Sequence, residues 1–321
     1  MLNKCLTVAL ALTCAIAVPA AAQQYPTRAV RVVVPFTPGS TTDIIARAVT
    51  ERLAAGFGQP MVIDNRSGAG GTIGSSIVAK ATPDGYTILV HSSSHTVNPA
   101  TYPGIAGNTA NDFSGVTPLA SLPNVLVMSP SKGIRAVKDL VALGKAKPGA
   151  LTYASAGAGT ATHLNAEKFR IGAGLNALHV PFKGSPEAVT EVMTGRVDYY
   201  FAPLAPVIGL LKEGKLVAVA VGSPRRSSAL PDVPTTLEAG VPNSSYNFWI
   251  GMMVPSKTPR PVVDRLYAET SKALASPEMK KRYADLGADP MNMKPAEFDG
   301  YIRKEIVENI ALVKAAGIKT Q

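Results

Sequence analysis

Short apolar runs alternate with amphipathic helical stretches along almost the whole chain, and this alternation constrains the fold more than any other feature. VRVVVPF (30–36) reads as a strand. TTDIIARAVTERLAAGFG (41–58) reads as a helix with Ile44, Ile45, Ala48, Val49 and Leu53 on one side, stopped at Gly56 or Gly58. MVIDNR is the next strand and TIGSSIVAKA a helix, and YTILVHS is a strand after the turn Pro83-Asp84-Gly85. A second series starts at NVLVMSP and continues through LTYASAG, NALHVPF, VDYYFAP and LVAVAVGS, with helical stretches between them. The tail returns to long helices from Arg260 and Pro295. Strand–helix–strand units of this length predict an α/β fold with mostly parallel sheets covered on both faces.

With 321 residues the chain exceeds the usual size of one core, so two lobes are expected. LASLPNVLV and VAVAVGSPRRS are the segments that fit a crossing between them. The first lobe is then discontinuous, 23–122 plus 225–321, and the second is 123–224. Residues 1–22 read as a secretory signal peptide: Lys4, an apolar stretch, and the small-residue site Ala20-Ala21-Ala22. A membrane anchor fits less well, because the apolar run is short and no cationic stop follows it. Both cysteines, Cys5 and Cys14, fall inside that segment, which leaves the mature chain without thiols or disulfides. The formal charge of +10 drops to +9 without Lys4. Those cations are scattered and aromatics are sparse, which excludes a nucleic-acid binder and leaves a surface that mildly attracts anions. These features place the mature protein in the periplasm.

Two strand-to-helix bends carry the chemistry. In the first, PFTPGSTTD, Ser40-x-x-Asp43 is a capping-box pattern, which by itself describes a well-capped helix. Its place beyond the carboxyl end of a strand is also where open α/β sheets bind ligands, because unpaired helix N–H groups point outward there. The second bend, SAGAGT (155–160), has no acidic residue in the first turn of its helix to compete for the amides. Facing each other, the bends would offer an anion several N–H donors and the hydroxyls of Thr37, Ser40, Thr41, Thr42, Ser155 and Thr160.

Other signals are weak. SGAGGTIG misses the dinucleotide spacing, with Ile73 where the third glycine belongs, and reads as a tight turn into a helix. There is no P-loop, no HExxH and no G-x-S-x-G, and His91, His95, His163 and His179 have no cysteine to join them, so neither metal nor cofactor is expected. Lys183 in HVPFKGS is either a charge partner or a rim lysine that steers anions. Asp198 either orients a cleft loop or pairs with Arg196, and Trp249 reads as core.

YPTRAVRVVVPFTPGSTTDIIAR, VIDNRSGAGGTIGSSIVAKATPDGYTIL, LTYASAGAGTATHL, HVPFKGSPEAVTEVMTGRVD and LPDVPTTLEAGVP, in this order, resemble the extracytoplasmic solute receptors of tripartite tricarboxylate transporters, the Bug family. The resemblance implies the two-lobed periplasmic-binding-protein type II fold (a Venus flytrap). It also implies a binder and not an enzyme, which takes a small carboxylate (a di- or tricarboxylate, an acidic amino acid or an aromatic acid) between its lobes and delivers it to integral-membrane permease subunits. It puts Phe36, Thr37, Gly39, Ser40, Thr41, Thr42 and Asp43 on the ligand. Ser155, Ala156, Gly157, Gly159, Thr160, Phe182, Lys183 and Gly184 meet it from the other lobe, partly through water. Many relatives carry two glycines where this chain has Gly39-Ser40, and Ser92, Ser93 and His95 lie in a segment that varies, which makes them candidates for selectivity. A sensor-kinase co-receptor and, more remotely, a hydrolase with a triad assembled in space are the alternative readings.

Overall fold

The computed structural model describes residues 25–104 and 109–319. Residues 1–22, the expected signal peptide, lie outside them. Strands β1 (Val30–Val34), β2 (Met61–Asn65), β3 (Thr87–Ser92) and β4 (Phe113–Leu122) come first. Then follow β5 (Asn124–Met128), β6 (Leu151–Ser155), β7 (Ala177–Pro181), β8 (Tyr199–Pro203) and β9 (Val217–Val221). β10 (Phe248–Pro255) and the short β11 (Asp289–Pro290) return to the first series. One sheet has the order β11-β4-β10-β3-β1-β2, the other β7-β6-β8-β5-β9.

Both sheets are mixed. β1 is parallel to β2 and β3, and β6 is parallel to β7 and β8, as helical crossovers require. β10 is antiparallel to β3 and β4, and β5 to β8 and β9. Parallel pairing is therefore less dominant than strand–helix alternation suggests. β5 and β10 each enter their sheet directly from a crossing, where no helix fixes the strand direction. Pro123 alone separates β4 from β5, and residues 222–247 carry the chain back from β9 to β10.

Strand residues alternate between two buried faces. In the first sheet Val32, Val34, Ile88, Ile250 and Met252 pack on one side with Ile45, Val49 and Leu53 from the helix Thr41–Phe57. Val33, Leu89, Trp249 and Met253 pack on the other with Phe298, Ile302 and Ile306. The second sheet repeats this, with Leu126, Tyr153, Tyr199 and Phe201 on one face and Val125, Val127, Ala154 and Tyr200 on the other. Each such side chain contributes about 1.5–3 kcal/mol on full burial. Trp249 is core, as its apolar surroundings predict: it is fully buried and its indole N–H donates to Glu305 Oε2 at 2.8 Å. Ala161 and Leu164, which start the helix Ala161–Gly172 of the second lobe, pack into the first lobe's core. The lobes are closed on each other.

Candidate functional site

The first bend leaves β1 at its carboxyl end. Ser40 is the N-cap of the helix Thr41–Phe57, and its Oγ accepts the Asp43 N–H at 3.3 Å. Asp43 Oδ2 accepts the Gly39 N–H at 3.0 Å, one residue before the cap, while the Ser40 N–H goes to the Thr37 carbonyl at 3.1 Å, so only the Ser40 half of the expected capping box is formed. Arg47 and Asn65 also donate to this carboxylate, at 2.9 and 3.0 Å. Burial pushes the Asp43 pKa up, but the hydrogen bonds from Arg47, Gly39 and Asn65 outweigh it and hold the carboxyl below its ordinary range. The N–H groups of Thr41 and Thr42 have no acceptor among the described residues, and the buried Thr41 Oγ1 has no partner. These are the orphan donors of a helix start.

The second bend is used differently. Ala156 N–H donates to Thr162 Oγ1 at 3.0 Å, Gly157 N–H to Ser155 Oγ at 3.1 Å and Gly159 N–H to His163 Nδ1 at 3.0 Å. Ala161 N–H crosses to the first lobe and donates to Ser94 Oγ at 2.9 Å. Only Ala158 and Thr162 keep amides without an acceptor among the described residues. The sequence argument that this helix start stays free for want of an acidic residue is therefore corrected: hydroxyls and an imidazole take the place of the missing carboxylate.

The bends face each other across a cavity of about 530 Å³. Phe36, Gly68–Gly71 and Tyr102 form one wall, and Ala156–Ala158, Phe182, Lys183 and Glu187 the other. A void of about 20 Å³, the size of one water, adjoins it. Phe36 and Ala156 border both spaces, and the void is ringed by hydroxyls: Ser40, Thr41, Thr42, Ser92 and Ser94 against Thr160, Thr162 and Ser185. Tyr102 Oη donates across the cleft to the Ala158 carbonyl at 3.0 Å. Among the described residues no ionisable side chain borders the hydroxyl-lined end. Behind its first-lobe wall His91 and His95 are fully buried. Burial, with His95 adding, lowers His91 well below its ordinary pKa, and burial takes His95 down to about 3, so both rings are neutral.

Over residues 45–318 the chain matches the family model described as "Tripartite tricarboxylate transporter family receptor". The chain belongs to this family. Protein BugT of Bordetella pertussis is 34% identical over 309 residues, covering 96% of this chain and 95% of that protein. Among solved structures, R. palustris Rpa4515 with adipate superposes with a TM-score of 0.89 at 34% identity, covering 92% of this chain and all of the other. MatC from Rhodopseudomonas palustris with bound malate gives 0.85 at 32%, covering 90% and 100%. Members of this receptor family are periplasmic solute-binding proteins and not enzymes, and the two-lobed fold expected from the resemblance is the one found.

In this receptor the structure brings Phe36, Ser40, Thr41, Thr42, Ser92, Ala156, Gly157, Thr160, Phe182 and Lys183 to the two voids. Thr37 and Gly184 touch each other across the cleft, and Gly39 and Asp43 bond to each other beneath the bend. Ser155 and Gly159 lie behind the second bend, bonded to His179 and His163. Ser93 is buried next to Ser92, its N–H on the Trp249 carbonyl. His95 packs between the rings of His91 and Phe113, at 5.3 and 4.9 Å, beneath the site. Asp198 requires a correction. It precedes β8, whose carboxyl end lies on the cleft, and so sits at the opposite edge of the sheet. There it holds Lys132 at 2.7 Å and the Thr152 N–H at 2.8 Å, while Arg196 pairs with Glu191. Lys183 is exposed on the cavity rim, its N–H on Glu187 Oε2 at 3.0 Å.

Sequence reasoning missed Gly68–Gly71, read only as a turn. It is a turn, and it also walls the cavity: a β-carbon on Gly70 would lie 2.7 Å from the Tyr102 ring and 3.1 Å from the Ala158 carbonyl. Its position just beyond β2, on the carboxyl side of the sheet, was the available signal. Ser94, Tyr102 and Thr162 had no local signal at all.

Proposed function

We propose that this receptor binds a small carboxylate (a di- or tricarboxylate, an acidic amino acid or an aromatic acid) in the cleft and delivers it to the permease subunits of a tripartite tricarboxylate transporter. The observation that carries this reading is the pair of unpaired Thr41 and Thr42 amides beside the unpartnered Thr41 hydroxyl, at the hydroxyl-lined end of a closed cleft. Hydrogen bonds to a charged group are worth about 1.5–3 kcal/mol each. Three of them supply most of the roughly 8 kcal/mol that micromolar affinity needs, and burial of the ligand body against Phe36, Tyr102 and Phe182 adds to it. The bodies that close are the lobes 23–122 plus 225–321 and 123–224, hinged at the two crossings, 119–127 and 217–227. The site is periplasmic after removal of residues 1–22. The adipate and malate held by the two structural neighbours support a carboxylate here.

A thermal-shift screen over carboxylic acids tests this. A ligand at a hundred times its Kd adds about 2.7 kcal/mol and raises the melting temperature by a few degrees. A panel of adipate, malate, citrate, glutamate and benzoate with no shift at millimolar concentration counts against the reading. Ser94→Ala removes the acceptor of the Ala161 N–H and one bond between the lobes. A loss of about 1 kcal/mol is expected, seen in titration calorimetry as roughly fivefold weaker affinity.

A further inference from the structure

Two histidines stand directly behind the second bend. The His163 and His179 rings stack with centroids 3.8 Å apart and planes 8° from parallel, and Tyr153 continues the stack 4.9 Å beyond His179. Their nitrogens point at the bend. His163 Nδ1 accepts the Gly159 N–H at 3.0 Å. His179 Nε2 lies 2.6 Å from Ser155 Oγ, the hydroxyl that also accepts the Gly157 N–H. Ala158, between those two glycines, borders the ligand cavity on one side and a second cavity of about 320 Å³, lined by both histidines, on the other. Only the thickness of the bend separates the ring pair from the cleft.

A ring nitrogen that accepts an N–H carries no proton, so this geometry requires neutral His163 with its hydrogen on Nε2. Protonated Nδ1 would set N–H against N–H at 3.0 Å and bring a cation against the second imidazole. We infer that His163 is a positioning residue, whose neutral imidazole holds the Ser155–Thr160 bend in its ligand-meeting shape, and that proton uptake by the stacked pair releases the bend.

The surroundings favour the neutral form. On the same helix, Arg170 is ion-paired with Glu167 at 2.7 Å. β6 contributes Tyr153, whose hydroxyl bonds Glu167, and β8 contributes Tyr199 behind it. Lys319, beyond the C-terminal helix, borders the same cavity. Burial, with Arg170 adding, lowers the His163 pKa to about 4. Burial and then His163 lower His179 to about 3, with Glu167 opposing. Because the folded values lie below the ordinary 6.5, the contribution is complete above pH 6.5 and is lost as pH falls from there through about 4.

The test combines nitrogen NMR of the imidazoles, amide hydrogen exchange, and binding of adipate and malate. The wild-type protein should show His163 as the Nε2–H tautomer, not titrating between pH 8 and 5. His163→Leu, which keeps bulk but has no acceptor, should speed exchange of the Gly159 amide tenfold or more and weaken binding about tenfold. His163→Asn places its Oδ1 where Nδ1 stood and should restore both, a rescue that mere loss of packing would not allow. An Nδ1–H tautomer, titration near pH 6.5, or unchanged Gly159 exchange in the leucine variant would overturn the inference. Faster exchange with unchanged affinity would overturn its ligand half. The affinity arm rests on the receptor reading proposed above, whereas the tautomer and exchange arms do not. Failure of wild type to bind either acid would count against that reading while leaving those two arms decisive.

Discussion

Gly184→Val is expected to weaken carboxylate binding by about two orders of magnitude, roughly 2.7 kcal/mol, while the unliganded protein melts within a few degrees of wild type. A β-carbon at Gly184 would be driven into Thr37 Oγ1 of the opposite lobe, and Thr37 Cβ would be only 3.3 Å away. The Gly184 backbone is extended, at φ −178°, a conformation any residue adopts, so nothing strains within the second lobe. The conflict exists only in the closed form. The lobes relieve it by swinging apart, which leaves each core intact but takes the hydroxyls of Thr160 and Thr162 away from those of Ser40 and Thr41. Hydrogen bonds weaken steeply over such displacements. Titration calorimetry reads the affinity, and small-angle scattering should show a larger radius of gyration in the presence of ligand. Thr37→Gly in the same chain should recover part of the loss. Wild-type affinity in Gly184→Val would falsify the closed cleft as the binding form.

Asp43→Ala should cost about 2–4 kcal/mol of stability, the low end applying if Arg47 finds water. Asp43 is 2% exposed and its carboxylate serves the Gly39 N–H, Asn65 and Arg47 together, while Asn65 also donates to the Phe36 carbonyl at 3.0 Å and Arg47 to Asn65 Oδ1 at 3.3 Å. Arg47 is half exposed and Gly39 exposed, so both recover some hydration, and the loss falls on the charge-assisted bonds that tie the bend to Asn65 and to its own helix. For a chain of this size the melting temperature should fall by roughly 3–6 °C. The pH dependence has a definite sign. The folded pKa lies below the ordinary 3.8, so the Asp43 contribution is complete above about that pH and is lost as pH falls through the lower folded value. Urea denaturation at pH 7 and at pH 3 should therefore show a smaller gap between wild type and Asp43→Ala in acid. An equal gap at both would mean that the charge does not matter to the bend.

Sequence patterns acting over a few residues were the legible part. The alternation of Val30–Val34 with the Thr41 helix and the Ser40 cap follow from periodicity and from a side chain that reaches its own backbone. So did the placement of both bends, because the carboxyl ends of strands are where helix amides open outward. The chain alone thus determined the lobes' elements, and the order of its motifs pointed to the family. What the amides of those bends are bonded to was not legible. Ala161 gives its N–H to Ser94, sixty-seven residues away, and Asp198 takes Lys132 at a separation of sixty-six in place of its neighbour Arg196. Gly68–Gly71 became a cavity wall only because the second lobe closes onto it. Such pairings are decided by packing, which ranks every nearby donor and acceptor by geometry once the sheets are in place, whereas a local pattern can say only that a donor exists.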